Sequence, residues 1–272
     1  MPEYTLSTIA LTENTQPPRL VVYGVDGIGK STFATGAPSP VWVPTVDGIA
    51  PTGMPSFPIV SAYPQVLEAL RALARGGHTY RTVVLDSLDW IERLIHDWVA
   101  TERGKENIED IGYGKGYTFA MEHWETVLKA LDYLRDKGMS VVCIAHAEIK
   151  RFDSPETEPY ERYQMKLHKS ASALIREWAD IVGFANREVI VESTDVGYNK
   201  EARRGVSTGR RVLYTDERPS HLAKNRYALP AKIDLTWVAL REALAPSYAK
   251  QSPTQPATSP EPEPEMAGVT NG

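Results

Sequence analysis

The stretch VVYGVDGIGKSTFATG, residues 21–36, constrains the fold of this 272-residue chain more than any other. A short apolar run ends at Gly24, and Gly24 to Ser31 read G-x-x-x-x-G-K-S. That spacing is the phosphate-binding P-loop pattern, a glycine-rich turn between a buried strand and a helix. Glycine lets the backbone curl so that successive N–H groups face phosphate oxygens. The predicted cradle comprises Gly24, Val25, Asp26, Gly27, Ile28, Gly29, Lys30, Ser31 and Thr32. Lys30 is placed to reach the β- and γ-phosphates and the Ser31 hydroxyl to ligate Mg²⁺. The start of the following helix adds a field that favours anions. ATP and Mg²⁺ are the cofactors such a loop implies.

Strands and helices alternate through the rest of the chain. Val41 to Thr45 reads as a second strand, and Pro44 marks its end or a sheet edge. Pro64 opens a helix carrying Val66, Leu67, Leu70 and Leu73. TVVLD (82–86) is β-branched, apolar and closed by an acid, as a buried parallel strand would be. Leu88, Ile91, Leu94, Ile95 and Trp98 recur at helical spacing. So do Met121, Trp124, Leu128 and Leu131, in a helix that Gly138 stops. MSVVCIAH (139–146) is another buried strand. The expected fold is α/β, a mostly parallel twisted sheet flanked by helices. Ligands bind such sheets beyond the carboxyl ends of the strands, which makes Asp86 the candidate second acid for the metal. Asp89, one turn later, is the alternative, or a helix-start residue.

Charge narrows the partners. Thirty Lys and Arg against 35 Asp and Glu give −5, which argues against a chain coated in basic surface for duplex binding. Local patches survive that balance. Tyr163 to Arg176 holds Lys166, Lys169 and Arg176 with no acid, and Tyr198 to Arg211 holds Lys200, Arg203, Arg204, Arg210 and Arg211 against Glu201. The single Cys143 lies in an apolar run and reads as core packing. No run of eighteen apolar residues and no basic, apolar leader is found, so a cytoplasmic protein without a membrane partner is expected. Residues 1–17 read as an arm, 18–245 as one domain, and the Pro- and Glu-rich 246–272 as a disordered tail.

TVVLDSLDW resembles the Walker B strand of RecA-type recombinases, and VVCIAHAEIKRF follows in the RecA order. HAEIKRFDSPETEPYERYQMKLHKSASALIREWADIVGFAN and AKNRYALP resemble phage-encoded RecA-like P-loop ATPases associated with single-strand DNA annealing. The resemblance spans roughly residues 18–242. It implies a RecA-like P-loop core with a C-terminal β-rich extension, binding of single-stranded DNA, and assembly into a ring or filament. A single-strand-binding protein is a further implied partner, and the host cytoplasm the implied compartment.

On that resemblance His146 ends the strand whose polar terminus senses the terminal phosphate, and Asp86 is the Walker B acid. Two loops correspond to those lining the DNA channel: NIEDIGYGKGYTF (107–119), with Tyr113, Lys115 and Tyr117, and KRFDSPETEPYERYQMKLHK (150–169). Mobile backbone, aromatic faces and cations suit stacking on unpaired bases. Lys166 and Lys169, with Arg176 beyond them, are the basic end of the second. The usual catalytic glutamate position is Val46, with Asp47 adjacent; Asp47 serves if the strand has already ended, and otherwise hydrolysis is slow or another group such as His146 orients the water. Lys200, Lys224 and Arg226 are candidate cations for a neighbouring subunit's site, although Arg226 pairing within its own chain reads equally well. The alternative function is a nucleotide switch or loader acting on a replication or packaging protein. A small-molecule kinase ranks lower, since no lid or acceptor pocket is marked.

Overall fold

The computed structural model describes residues 5–8, 16–45, 50–154, 158–195 and 201–249, with the backbone alone for 7, 190–195, 201–207 and 249. Strand β1 (Arg19–Gly24) leads through the glycine-rich turn into α1 (Lys30–Thr35). Then come β2 (Pro40–Pro44), α2 (Tyr63–Ala74), β3 (Thr82–Asp86), α3 (Leu88–Glu102) and α4 (Lys115–Asp136). β4 (Ser140–Phe152), β5 (Tyr160–Met165), α5 (Lys169–Trp178), β6 (Ile181–Asp195) and β7 (Glu201–Tyr214) follow. Short β8 (Lys224–Asn225), β9 (Lys232–Asp234) and α6 (Trp237–Ala249) complete the chain.

The sheet runs β2-β3-β4-β1-β6-β7-β9, with β5 on β4 and β8 on β6. The five strands from β2 to β6 are mutually parallel. β7, β8 and β9 pair antiparallel and form the expected C-terminal β extension. β2 takes the edge, where Pro44 deprives no ladder partner of a donor. Alternate side chains of the parallel strands serve opposite faces. Val21, Tyr23, Val83, Leu85, Val141 and Cys143 pack on α2 to α5, while Leu20, Val22, Val84, Val142 and Ile144 pack on α1 and α6. The result is a three-layer sandwich with helices on both faces, as the alternation predicts. Burial pushes the Cys143 thiol up to about 12, so this cysteine is packing rather than chemistry.

Three sequence expectations change. The segment 150–169 is not an open loop: β4 continues to Phe152 and β5 returns against it, from Phe152↔Tyr160 to Ala147↔Met165. Residues 155–157 at its tip lie outside the described residues. The segment 107–119 holds a 3-10 turn, Ile108–Asp110, closed by a reciprocal Asn107–Asp110 cap, and its second half is the start of α4. Gly114, in the left-handed region, begins that helix. At the carboxyl end, α6 runs to Ala249, past the expected boundary at 245, with Pro246 inside it. Of the arm, residues 5–8 and 16–17 are described, with a 3-10 turn at Leu6–Thr8; the tail beyond 249 lies outside the described residues.

Gly24 has a second reason to be glycine. A Cβ there would lie 2.2 Å from the carbonyl oxygen of Ala185 on β6, which is backbone and cannot step aside. Gly24→Ala is therefore expected to destabilise the nucleotide-free protein by about 3 kcal/mol or more, as overpacking against fixed backbone does. Urea unfolding without nucleotide measures it; a loss seen only with nucleotide present would contradict this account.

Candidate functional site

The carboxyl ends of β1, β3 and β4 meet at one edge of the sheet. Gly24 is level with His146 across the β1–β4 pair, and β4 separates β1 from β3, the strand that ends in Asp86. Three distant sequence segments thus converge because β4 is threaded between the other two strands.

The loop is anchored by Ile28, which is 2% exposed and belongs to the core shared with α1 and α6. Gly27 and Gly29 take φ of 68° and 106°, where an L side chain is strained. Nothing lies within 4 Å of a Cβ placed on Gly27, so there conformation alone demands glycine. α1 is only six residues long, so local amides contribute more than any summed helix field. Val25 is half-buried, while Asp26 and Thr32 are exposed.

Lys30 is buried, and its Nζ donates to the carbonyl oxygens of Gly24 (2.9 Å) and Val25 (3.1 Å). Burial pulls its pKa down, while Asp26, Asp86 and Asp89 oppose that fall. Ser31 Oγ donates to Asp86 Oδ2 at 2.8 Å. Burial raises the Asp86 carboxyl, against the Ser31 hydrogen bond and the Lys30 charge. A hydroxyl and a carboxylate at this separation fit a hard cation, one as direct ligand and the other through the water shell. Asp86 is held from behind by Thr45: its Oγ1 donates to the Asp86 carbonyl (2.9 Å) and accepts from Ser87 N (2.9 Å). The Asp86–Ser87 peptide is cis.

Asp89 is not a mere helix-start residue. Its buried carboxylate accepts from His146 N (3.1 Å) and from His146 Nδ1 (2.9 Å). A carboxylate can only accept, so Nδ1 carries the proton. The ring then presents Nε2 towards the loop, 3.7 Å from Asp26 Oδ1. The hydrogen bond that His146 donates to Asp89 raises the His146 pKa against burial. For Asp89, burial pushes upward but the His146 bonds prevail and the carboxyl stays low. Asp47 and Val46 lie outside the described residues.

One turn beyond Asp89, α3 offers Glu92, whose two oxygens accept from His168 N at 3.1 and 2.9 Å and so hold the entry to α5. Burial raises the Glu92 carboxyl to about 7. Glu92 lines a pocket of about 260 Å³ with Asp89, Arg93, Glu148, Lys150, Lys166, Leu167 and His168. Next to it, Lys150, Arg162, Lys169 and Arg176 line a pocket of about 170 Å³ with Gln164 and Ser172 and no acid. The hairpin and α5 thus gather two of the expected DNA cations, Lys169 and Arg176, with two that sequence reading did not single out. Arg162 is fixed by Glu217 (3.0 Å) and rests on the Phe152 ring.

Other candidates separate. Tyr113 is fully exposed, and Lys115 is exposed at the first turn of α4. Tyr117 has no free face on one side: it stacks on His168, with ring centres 4.1 Å apart, and donates to Glu109. Lys224 Nζ donates to the carbonyls of Arg176, Glu177 and Ala179, closing the end of α5, and Arg226 pairs with Asp180 at 3.1 Å. Both therefore have partners in their own chain, at the amino-terminal end of β6, opposite the P-loop. Lys200 lies outside the described residues.

A parallel sheet with a P-loop after β1, a metal-compatible Ser–Asp pair and a polar strand end between them defines a P-loop nucleotide-binding domain. The family model of the AAA domain matches residues 16–227, and the chain belongs to that family of nucleotide-binding ATPases. No curated protein matches the chain. Among the described residues no helix is long and apolar enough to cross a membrane.

Two titrations test this geometry. Removing the Asp89 charge lowers the His146 pKa, so Asp89→Asn should move the His146 ring titration to lower pH, as followed by proton NMR. For Glu92, the folded chain retains the proton up to about 7 and the unfolded chain releases it near its ordinary value. Stability therefore falls as pH rises through that window. Between about pH 5 and pH 8 wild type should lose up to about 3 kcal/mol more than Glu92→Gln in urea unfolding.

Proposed function

We propose that this protein binds and hydrolyses ATP and, in a phage-type recombination system, binds single-stranded DNA and promotes annealing of complementary strands. The observation that carries the DNA half is the pocket lined by Lys150, Arg162, Lys169 and Arg176, in which Lys150 pairs with Glu148 and Arg162 with Glu217 while Lys169 and Arg176 face no acid in the lining. Its Lys150 lies on the same strand as His146, four residues along β4. Nucleotide state and strand binding then share one rigid element. Exposed Tyr113 and Lys115 would add stacking and charge from the turn before α4.

In the nucleotide site Lys30 leaves the Gly24 and Val25 carbonyls for the phosphates, and the loop amides hold the rest of the chain. Ser31 and Asp86 would hold Mg²⁺, which would supply neutralisation of the phosphate charge. His146, oriented by Asp89, stands where the terminal phosphate and attacking water belong. Its raised pKa favours the imidazolium, a donor to developing negative charge. Turnover should then fall as pH rises through the His146 pKa, and at lower pH in Asp89→Asn. Assembly into a ring or filament is part of the same reading.

The test is ATPase activity with and without single-stranded DNA, beside direct DNA binding over a salt series. Lys30→Ala should lower turnover by roughly a hundredfold or more. The Lys169→Ala, Arg176→Ala double variant should flatten the slope of log affinity against log salt by about 1.4, two single-strand phosphate contacts. Absence of DNA binding at low salt, with and without ATP, defeats the DNA half. Co-purification of one stoichiometric protein under those conditions would favour the switch or loader.

A further inference from the structure

Arg211, on β7, stands against the P-loop. A Cβ placed on Gly29 would lie 3.0 Å from Arg211 Nη1, so the guanidinium stands in contact distance of the loop backbone. Its neighbour Arg210 is held on the other face of the strand by Asp234 (2.6 Å) and Glu188. Among the described residues, by contrast, the Arg211 side chain makes no hydrogen bond and no ion pair, and the residue is exposed. A guanidinium carries five fixed donors and an unconditional charge. Here it is held beside a loop built to receive phosphates, with no carboxylate on it.

The sheet order says which end of a nucleotide it faces. β3 and β4, with Asp86, Asp89 and His146, lie to one side of β1; β6 and β7 lie to the other. Ser31 and Asp86 would hold the metal ion, which would supply charge neutralisation at the reacting, terminal end of the phosphate chain. The terminal phosphate therefore belongs on the β3–β4 side, and the α-phosphate and nucleoside on the β6–β7 side. We propose that Arg211 holds the α-phosphate of the bound nucleotide, from within the same chain. It is a binding residue remote from the bond being broken, and it completes the site from the C-terminal β extension. This rests on the nucleotide-binding reading above.

An α-phosphate contact is common to ATP and ADP and does not change as the γ-phosphate leaves. It predicts uniform binding, seen in KM and not in kcat. The experiment is calorimetric titration of the full chain with MgATP and with MgADP, for wild type, Arg211→Ala, Arg211→Lys and Lys30→Ala. Arg211→Ala should weaken both nucleotides by the same factor, about tenfold or more, as loss of a charge-assisted hydrogen bond does. Arg211→Lys should keep part of that affinity, and kcat should be unchanged. Nucleotide-free melting of Arg211→Ala should match wild type, since the side chain serves no other group. Wild-type affinity in Arg211→Ala overturns the proposal, and so does a loss confined to ATP or a fall in kcat at constant KM. If wild type and Lys30→Ala alike bind neither nucleotide, the nucleotide reading itself has failed and this inference falls with it. Binding that wild type shows and Lys30→Ala lacks sustains the nucleotide reading, and the affinity of Arg211→Ala then decides the role of Arg211.

Discussion

The site depends on one close approach. β1 is clamped between β4 and β6, and at its last residue the β6 backbone comes so near that no side chain fits. Gly24 thereby serves the sheet before it serves a ligand. With β1 fixed there, the P-loop leaves at the level of His146, and Asp86 arrives from the next strand but one. Any splaying of β1 from β6 would move the cradle from its acids on one side and from Arg211 on the other.

The electrostatics of the cradle follow from burying charge that is only partly paired. Lys30 is satisfied by two loop carbonyls, and Asp86 by a hydroxyl. Such groups retain donors and acceptors for a ligand while avoiding the cost of an orphaned buried ion. Asp89 is treated differently: it gives both its reach and its charge to His146, so the histidine is fixed in tautomer and direction. Burial on α3 also raises Glu92, which ties the same helix to the entry of α5 through His168 N. One helix thus links the nucleotide end of β4 with the hairpin at its far end.

Much of this was legible from sequence. The P-loop, the two apolar strands with their terminal Asp86 and His146, and the helices stopped by Gly138 and begun by Pro64 are local patterns, set by period and turn chemistry. Where two segments compete for the same residues, sequence reading faltered. Polar stretches such as 150–169 read as loop because alternation on an antiparallel hairpin with one wet face is weak. Tyr117 read as a free stacking face because nothing near it in sequence announces His168, fifty-one residues later. Asp89 is the helix-start residue it looked like, in the first turn of α3, but its second role was hidden for the same reason, since His146 stands on a distant strand. Lys224 looked available, but the carbonyls that occupy it end a helix formed far upstream; for Arg226 the pairing within its own chain, with Asp180, is the one of two equal readings that the structure shows.

The sequence by itself determined that there would be a phosphate cradle, what its side chains are, and that a parallel α/β core would carry it, because spacing and hydrophobic period act within a few residues. Only the tertiary structure decided that Asp86 meets the Ser31 hydroxyl while Asp89 orients the histidine. It also decided which cations are spent inside the chain and which remain free beside the loop. Those choices depend on strand order and register, which bring together side chains more than a hundred residues apart and which no local pattern encodes.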